Sequence, residues 1–264
     1  MDLFRVLPLS SALAAHLLAQ APATPAPPAP PSILGFALTG STTIGSQYIF
    51  RGLTQTDGRP TVQAELDLVH PTGFYVSAAL SNISWITDQF SSGPVSAPVE
   101  VDLFGGYKWG FAKDWTLDLG AYRYLYPGDY KSLPGYNPNT TEAYLGLSFR
   151  WASLKYSRVV SGGNFGIAQA EGSTYLDLSL TVPLGASGYS VLAHGGKTTY
   201  KTSDAALNDL LDYTDYKLGI SKEVKGLVLT LAGTNADTKD GGYRNALGRN
   251  IGKDRVTFTI AKAF

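Results

Sequence analysis

From Gly35 onward the chain alternates between apolar and polar positions. Phe36, Leu38, Thr42, Ile44, Tyr48 and Phe50 share one side of an extended backbone. Val62, Ala64, Leu66 and Leu68 alternate with Gln63, Glu65 and Asp67, and Phe74, Val76, Ala78 and Leu80 follow. Val99, Val101, Leu103 and Tyr107 stand against Glu100, Asp102 and Lys108; Trp115, Leu117, Leu119 and Ala121 come next. Ala143, Leu145, Leu147, Phe149 and Trp151 oppose Glu142, Tyr144, Ser148 and Arg150, and Leu154 and Tyr156 open a shorter run. Leu176, Leu178, Leu180, Val182 and Leu184 form the clearest stripe, against Tyr175, Asp177, Ser179 and Thr181. Runs around Val191, Leu218, Leu229 and Phe258 complete the set. The pattern predicts about twelve strands, each near the roughly 9–11 residues that cross a bilayer at a tilt.

The connections alternate in length. Short ones are expected at 71–73, 111–114, 152–153, 185–188 and 224–226. Long ones are expected at 52–59, 87–98, 127–140, 161–173, 201–212 and 236–253. With both chain ends on the short-turn side, this is the pattern of an up-and-down transmembrane barrel: tight periplasmic turns and longer extracellular loops. An even number of antiparallel strands closes without an edge, as hydrocarbon requires.

Alternation alone leaves the inside face open, because a soluble barrel of the lipocalin kind alternates equally well with its apolar groups inward. Charge favours the inverted reading. The Leu stripe carries almost no charge, whereas the opposite face carries Glu65, Asp67, Glu100, Asp102, Asp118, Glu142, Arg150 and Asp177. A dry centre holding that many carboxylates would suffer severe desolvation, and a watery lumen accepts them. Aromatic rings collect at two levels. Trp109, Trp115, Trp151, Phe36, Phe74 and Tyr189 lie beside short turns; Tyr48, Phe50, Trp85, Tyr122, Tyr124, Tyr126 and Tyr156 lie toward long loops. They read as two interfacial girdles, or simply as residues that favour strands.

The first residues fit an export signal. Arg5 lies in a short leading segment, Val6 to Ala19 is apolar, and small residues follow at Ala19, Ala21 and Ala23. The alternative, a membrane helix, needs a longer run of about 20 residues. The expected organisation is a signal peptide at 1–23, an Ala/Pro-rich periplasmic linker at 24–34 and a barrel at 35–264. The 21 basic and 21 acidic residues balance, so nothing suggests a nucleic-acid partner. The absence of cysteine excludes disulfides and thiolate chemistry.

A run of motifs points to a family. Gly45-Ser46-Gln47-Tyr48-Ile49-Phe50-Arg51-Gly52-Leu53-Thr54-Gln55-Thr56-Asp57 is followed by Pro60, Val62-Gln63, Gly73-Phe74-Tyr75-Val76 and Ser81-Asn82. Later pieces are Val99 to Tyr107, Tyr124-Leu125-Tyr126-Pro127-Gly128 and Glu142-Ala143-Tyr144-Leu145-Gly146-Leu147. These segments resemble the TorF-like family of outer-membrane porins. Gly45-Ser46-Gln47 and Ala78-Ala79 depart from its usual Ser-Asp and Gly. The resemblance implies a barrel in the outer membrane of a Gram-negative cell, with poorly defined substrates. The terminal strand ending at Phe264 resembles the segment such barrels present to their assembly machinery.

The lumen charges expected from the alternation are Glu65, Asp67, Glu100, Asp102, Asp118, Glu142, Asp177 and Asp215, with Arg51, Lys108, Arg150, Lys155, Lys217 and Arg255. Arg51, read as the polar face of the first strand, is expected to face Glu65, Asp67, Glu100 and Asp102. It would either set a transverse field across a constriction or hold the wall in register. The acids exceed the bases, which predicts a small cation preference. No catalytic, cofactor or metal site is expected. His70 sits beside a short turn, and His194 has Ser190 on its own strand face at a spacing that prepares no nucleophile. The sequence therefore leads to passive diffusion of small hydrophilic solutes. The alternative is a non-conducting scaffold or adhesin whose inward-folded loop, 127–140 for instance, fills the barrel. Oligomeric state is left open.

Overall fold

The computed structural model describes residues 32–90 and 95–264. The expected signal at 1–23, and the linker up to residue 31, lie outside the described residues. The twelve expected strands are present: β1 (Phe36–Gly45), β2 (Thr61–Val69), β3 (Phe74–Asn82), β4 (Val99–Ala112), β5 (Trp115–Leu125), β6 (Thr140–Phe149), β7 (Ala152–Val159), β8 (Thr174–Pro183), β9 (Tyr189–Thr199), β10 (Tyr213–Val224), β11 (Leu227–Ala236) and β12 (Arg255–Ala263). Each pairs antiparallel with its neighbour in sequence, and β12 returns to pair with β1. The result is an all-β, closed, up-and-down barrel. Ile44 marks the seam, opposite Val62 on one side and Ile260 on the other.

The interior is polar and the exterior apolar. On β8, Leu176 and Leu178 are 45% and 49% exposed while Tyr175 between the strands' inner faces is 3% exposed. The same inversion repeats around the wall: Val62, Leu66, Val76, Leu80, Leu119, Leu145, Leu218 and Leu231 point out, and Glu65, Asp67, Glu100, Asp102, Asp118 and Glu142 are buried within. A period of two forces this separation once one face is fixed.

The short connections are tight reversals. At Lys225 and Gly226 both φ angles are positive, 51° and 77°, as a two-residue hairpin turn that follows the strand twist requires. Arg150 corrects an expectation here. It occupies the β6–β7 turn with φ 51°, and its Nε lies 3.0 Å from Asp114 Oδ2 on the adjacent turn. A turn residue no longer follows the alternation of its strand, so Arg150 joins the rim and not the lumen wall.

Among the described residues, the long connections carry three short helices: α1 (Trp85–Gln89), α2 (Ala205–Leu211) and α3 (Asp240–Tyr243). Asp204 caps α2 by accepting from the Ala206 and Leu207 amides. At the other end, the Phe264 amide and carbonyl exchange hydrogen bonds of 3.0 Å with Gly40. A Cβ at Gly40 would stand 2.7 Å from both the Phe264 ring and the Glu65 carbonyl, so the close fit of the terminal ring demands glycine.

The first strand is shorter than expected. It ends at Gly45, and residues 46–60 turn into the barrel, where Ile49–Phe50 and Leu53–Thr54 pair as a small hairpin. Tyr48, expected on the outer face with Ile44, is 3% exposed and lies inside.

Candidate functional site

The lumen has two parts. Toward the short turns it is lined by charged and hydroxylic side chains held by local pairs. Lys108 on β4 stands opposite Asp118 on β5. The Lys108 Nζ lies 4.4 Å from the Tyr75 ring centroid, and Tyr75 Oη donates to Asp118 at 2.9 Å. Lys155 on β7 stands opposite Asp177 on β8, with Nζ over the Tyr144 ring.

His194 lies between two acids: Nε2 is 2.8 Å from Asp215 Oδ1 and Nδ1 is 3.4 Å from Asp177 Oδ2. The serine beside it is Ser179, with Oγ 3.1 Å from Nδ1. Ser190, its companion on the same strand face, pairs instead with Pro183 and Ser221. Ser179 Oγ also donates to Asp177 at 2.7 Å, so its proton points away from the imidazole. Lys217 stands opposite His194 and Thr234, and Arg255 opposite Thr234, which puts three basic groups along one register row. Lys217 remains exposed although it faces inward.

Toward the long loops the lumen is filled. The hairpin at 49–54 reaches from the β1–β2 connection across the barrel. Arg51 at its tip makes a two-pronged bond to Glu142 on β6, at 2.9 and 2.7 Å, and lies 4.2 Å from the Tyr175 ring centroid on β8. This paired-fork geometry suits guanidinium and carboxylate. Gly52 has φ +76°, and a Cβ there would stand 2.5 Å from Asp215 Cβ on β10. Only glycine lets the tip rest on the far wall. Phe50 packs edge-on to Tyr124 and Phe165, and Tyr48 Oη donates to Glu100 at 2.8 Å.

Three expectations change. Arg51 is not on the first strand, and it does not face the Glu65, Asp67, Glu100 and Asp102 group. Three of those acids are served by hydroxyls: Tyr48 bonds Glu100, Tyr122 bonds Asp102 at 3.1 Å, and Ser77 bonds Asp67. Tyr122, Tyr124 and Tyr126 are not a girdle. They are buried inside with Phe104 and Tyr144, and Tyr122 stacks on Phe104 at 4.7 Å between centroids. The alternation held the signal, since these tyrosines share the parity of Asp118 on the same strand. Nor is 127–140 the segment that crosses the lumen; its Tyr136 ring packs against Phe90 in the outer cap.

Outside the hairpin, the long loops enclose a cavity of about 120 Å³, lined among others by Phe50, Trp85, Tyr126, Phe165, Tyr200 and Tyr243. Its charges are matched: Arg51 by Glu142, Asp57 by Arg249 at 2.5 Å, Asp88 by Arg59, and Arg244 by Asp240. Hydrogen bonds from Asn250 and Arg244 hold the Asp240 carboxyl below the usual range. Burial pushes the Tyr200 hydroxyl up to about 12, so it stays neutral.

Fold and lining define the class: a bacterial β-barrel resembling the small outer-membrane porins. The chain belongs to the Gcw_chp family, described as a bacterial protein of unknown function, whose model matches residues 30–264. Among solved structures, the chain is similar to the KdgM porin at 9% identity, covering 86% of this chain and 98% of that one, with a TM-score of 0.51. It is also similar to the KdgM porin in complex with disordered oligogalacturonate (9% identity, 86% and 99% covered, TM-score 0.48). The NanC porin gives 10% identity, 86% and 98% covered, and a TM-score of 0.48. At such identities the common ground is the closed twelve-stranded antiparallel barrel, like that of KdgM. No curated protein matches the sequence. The matching family is described without a function, so the narrower TorF-like resemblance rests on the motif residues alone.

Proposed function

We propose that the protein is an outer-membrane channel for passive diffusion of small hydrophilic solutes, with its outer end occluded by the first hairpin. One observation carries the reading: a closed barrel with lipid-compatible leucines outside encloses Lys108, Asp118, Lys155, Asp177, His194, Lys217 and Arg255. Such groups are costly in a dry core and serviceable along a water path. The TorF-like motifs and the KdgM-like barrel support the same reading. Selection would follow from size and from the field of the lining charges, with no covalent step and no cofactor. With Arg150 at the rim, the remaining expected set keeps eight carboxylates against five lysines and arginines, which favours cations.

The proposal includes export by residues 1–23, a periplasmic linker at 24–34 and delivery to the barrel-assembly machinery through the strand ending at Phe264. Surrounding outer-membrane lipid would then cover the Leu stripe. The second reading, a non-conducting scaffold that works through its outer loops, is favoured by the same hairpin, which fills the lumen from Glu100 to Asp215. Planar-bilayer recording separates the two. Current steps that scale with salt are expected of the channel. Silence from folded protein, persisting after residues 49–54 are replaced by two glycines, would favour the scaffold.

A further inference from the structure

The outer cavity holds polar groups that nothing in the protein uses. Among the described residues, Trp85 Nε1, Asn164 Oδ1, Thr198 Oγ1 and Asn245 Nδ2 are buried and have no hydrogen-bond partner, and all four residues line this one cavity; Asp57 also lines it, with its Oδ2 paired to Arg249. Asn164 is 3% exposed and Asn245 8%. An orphaned buried donor or acceptor costs roughly 1–3 kcal/mol, and four converging on one space are a place where a ligand or ordered water completes the bonding. They supply two donors, one acceptor and one hydroxyl that serves as either, all neutral.

The same space is walled by ring faces. Phe50 and Phe165 meet edge to face at 5.8 Å, Trp85 meets Tyr126 at 5.4 Å, and Tyr243 meets Tyr213 at 5.1 Å. The charges that line it are each paired: Arg51 with Glu142, Asp57 with Arg249, Asp88 with Arg59 and Arg244 with Asp240. An anionic solute would find no uncommitted cation, and a cationic one no uncommitted carboxylate. What remains is apolar ring surface with neutral amide and indole groups. That combination suits a ligand with both C–H faces and hydroxyl edges. The volume, about 120 Å³, corresponds to about eight to twelve water-sized positions, the scale of one sugar ring.

We propose that the vestibule formed by Trp85, Asn164, Phe165, Tyr243 and Asn245 is a binding subsite for a neutral saccharide ring. The subsite lies directly outside the Phe50–Arg51 tip, so occupancy places a solute against the hairpin that occludes the lumen. The inference deepens the channel reading, and it is tested by equilibrium binding, which needs no conduction.

The probe is maltotriose, titrated into detergent-solubilised full-length protein, with tri-galacturonic acid as the charged control. Trp85 reports on the site, because Trp109, Trp115 and Trp151 lie at the opposite end of the barrel. Saturable quenching or a spectral shift with maltotriose is expected, with affinity at least fivefold tighter than for the acidic trimer. Asn164→Leu, which keeps the branching of the side chain and removes the orphaned oxygen, is expected to weaken maltotriose at least fivefold. Asn245→Ser provides a second variant. The subsite is overturned if folded protein gives no saturable response, or if both variants bind as the parent does. Tighter binding of the acidic trimer would overturn the neutral class. Loss of conductance with binding intact would instead sink the channel reading and leave the subsite standing.

Discussion

The two halves of the barrel interior are built from the same alternating strands and end in opposite states. Away from the hairpin, His194 pairs with Asp177, Lys155 stands opposite that acid, and the lumen is open enough to leave Lys217 exposed. Toward the long loops, Tyr48, Tyr122, Tyr124 and Tyr126 are buried with Ile83 and Ile86 in an aromatic core. The difference comes from residues 46–60. Where the first hairpin enters, inward side chains acquire a packing partner and the space behaves as a core; where it does not reach, they face water. Strand pattern thus decides which face is inside, and a long-range insertion decides whether that inside is open or packed.

The sharpest way to break this contrast is to remove the insertion. Replacing residues 49–54 by two glycines is expected to raise single-channel conductance several-fold, because the segment bridging Glu100, Glu142 and Asp215 is gone. An unchanged conductance would mean that the hairpin does not limit the path.

The next largest effect concerns its tether. Glu142→Gln leaves Arg51 without its bidentate acceptor in a site where the two side chains are 10% and 2% exposed. Removing one partner of such a buried pair costs about 3–5 kcal/mol. The expected outcome is a noisier channel with longer open dwells, read in the same recordings. Ion pairing between Arg51 and Glu142 that proves dispensable would mean that the aromatic contacts of Phe50 alone hold the hairpin.

Wall substitutions sharpen the comparison between faces. Leu178→Arg, at mid-strand on the outer face, is expected to cost about 2–4 kcal/mol in lipid, and Ser179→Arg one position along much less. Chemical unfolding in vesicles checks both. The smallest effect is on selectivity. The parent is expected to favour cations, and joint Glu100→Gln and Asp102→Asn to move the reversal potential toward zero. A clear anion preference in the parent would contradict the lumen charge count.

The strand set was readable because one face of each run is nearly free of charge; Leu176 to Leu184 shows it best. The departures have local causes. The apolar parity of Ile44 resumes at Tyr48 and Phe50 after a single polar position, Ser46, so both look like more of the same strand when the chain has already turned inward. Arg150 keeps the parity of Ser148 but occupies a turn, where parity stops meaning face. Tyr122 and Tyr124 could have been placed inside from Asp118, had parity outweighed the expectation of an interfacial girdle. The Arg51–Glu142 bond joins residues 91 apart, and the four orphaned atoms of the vestibule come from three different loops and the end of β9. No spacing rule reaches that far, so the pattern of strands was open to reading and the constriction was not.

The cysteine-free chain allows a direct test of the inverted barrel. Leu178→Cys and Ser179→Cys, each alone, are reconstituted in vesicles and exposed to a water-soluble thiol reagent and, separately, to a quencher buried in the acyl chains. The account predicts that position 179 reacts with the aqueous reagent and ignores the lipid quencher, while a fluorophore at position 178 is quenched. The reverse pattern, with 178 reached from water and 179 from hydrocarbon, would contradict it.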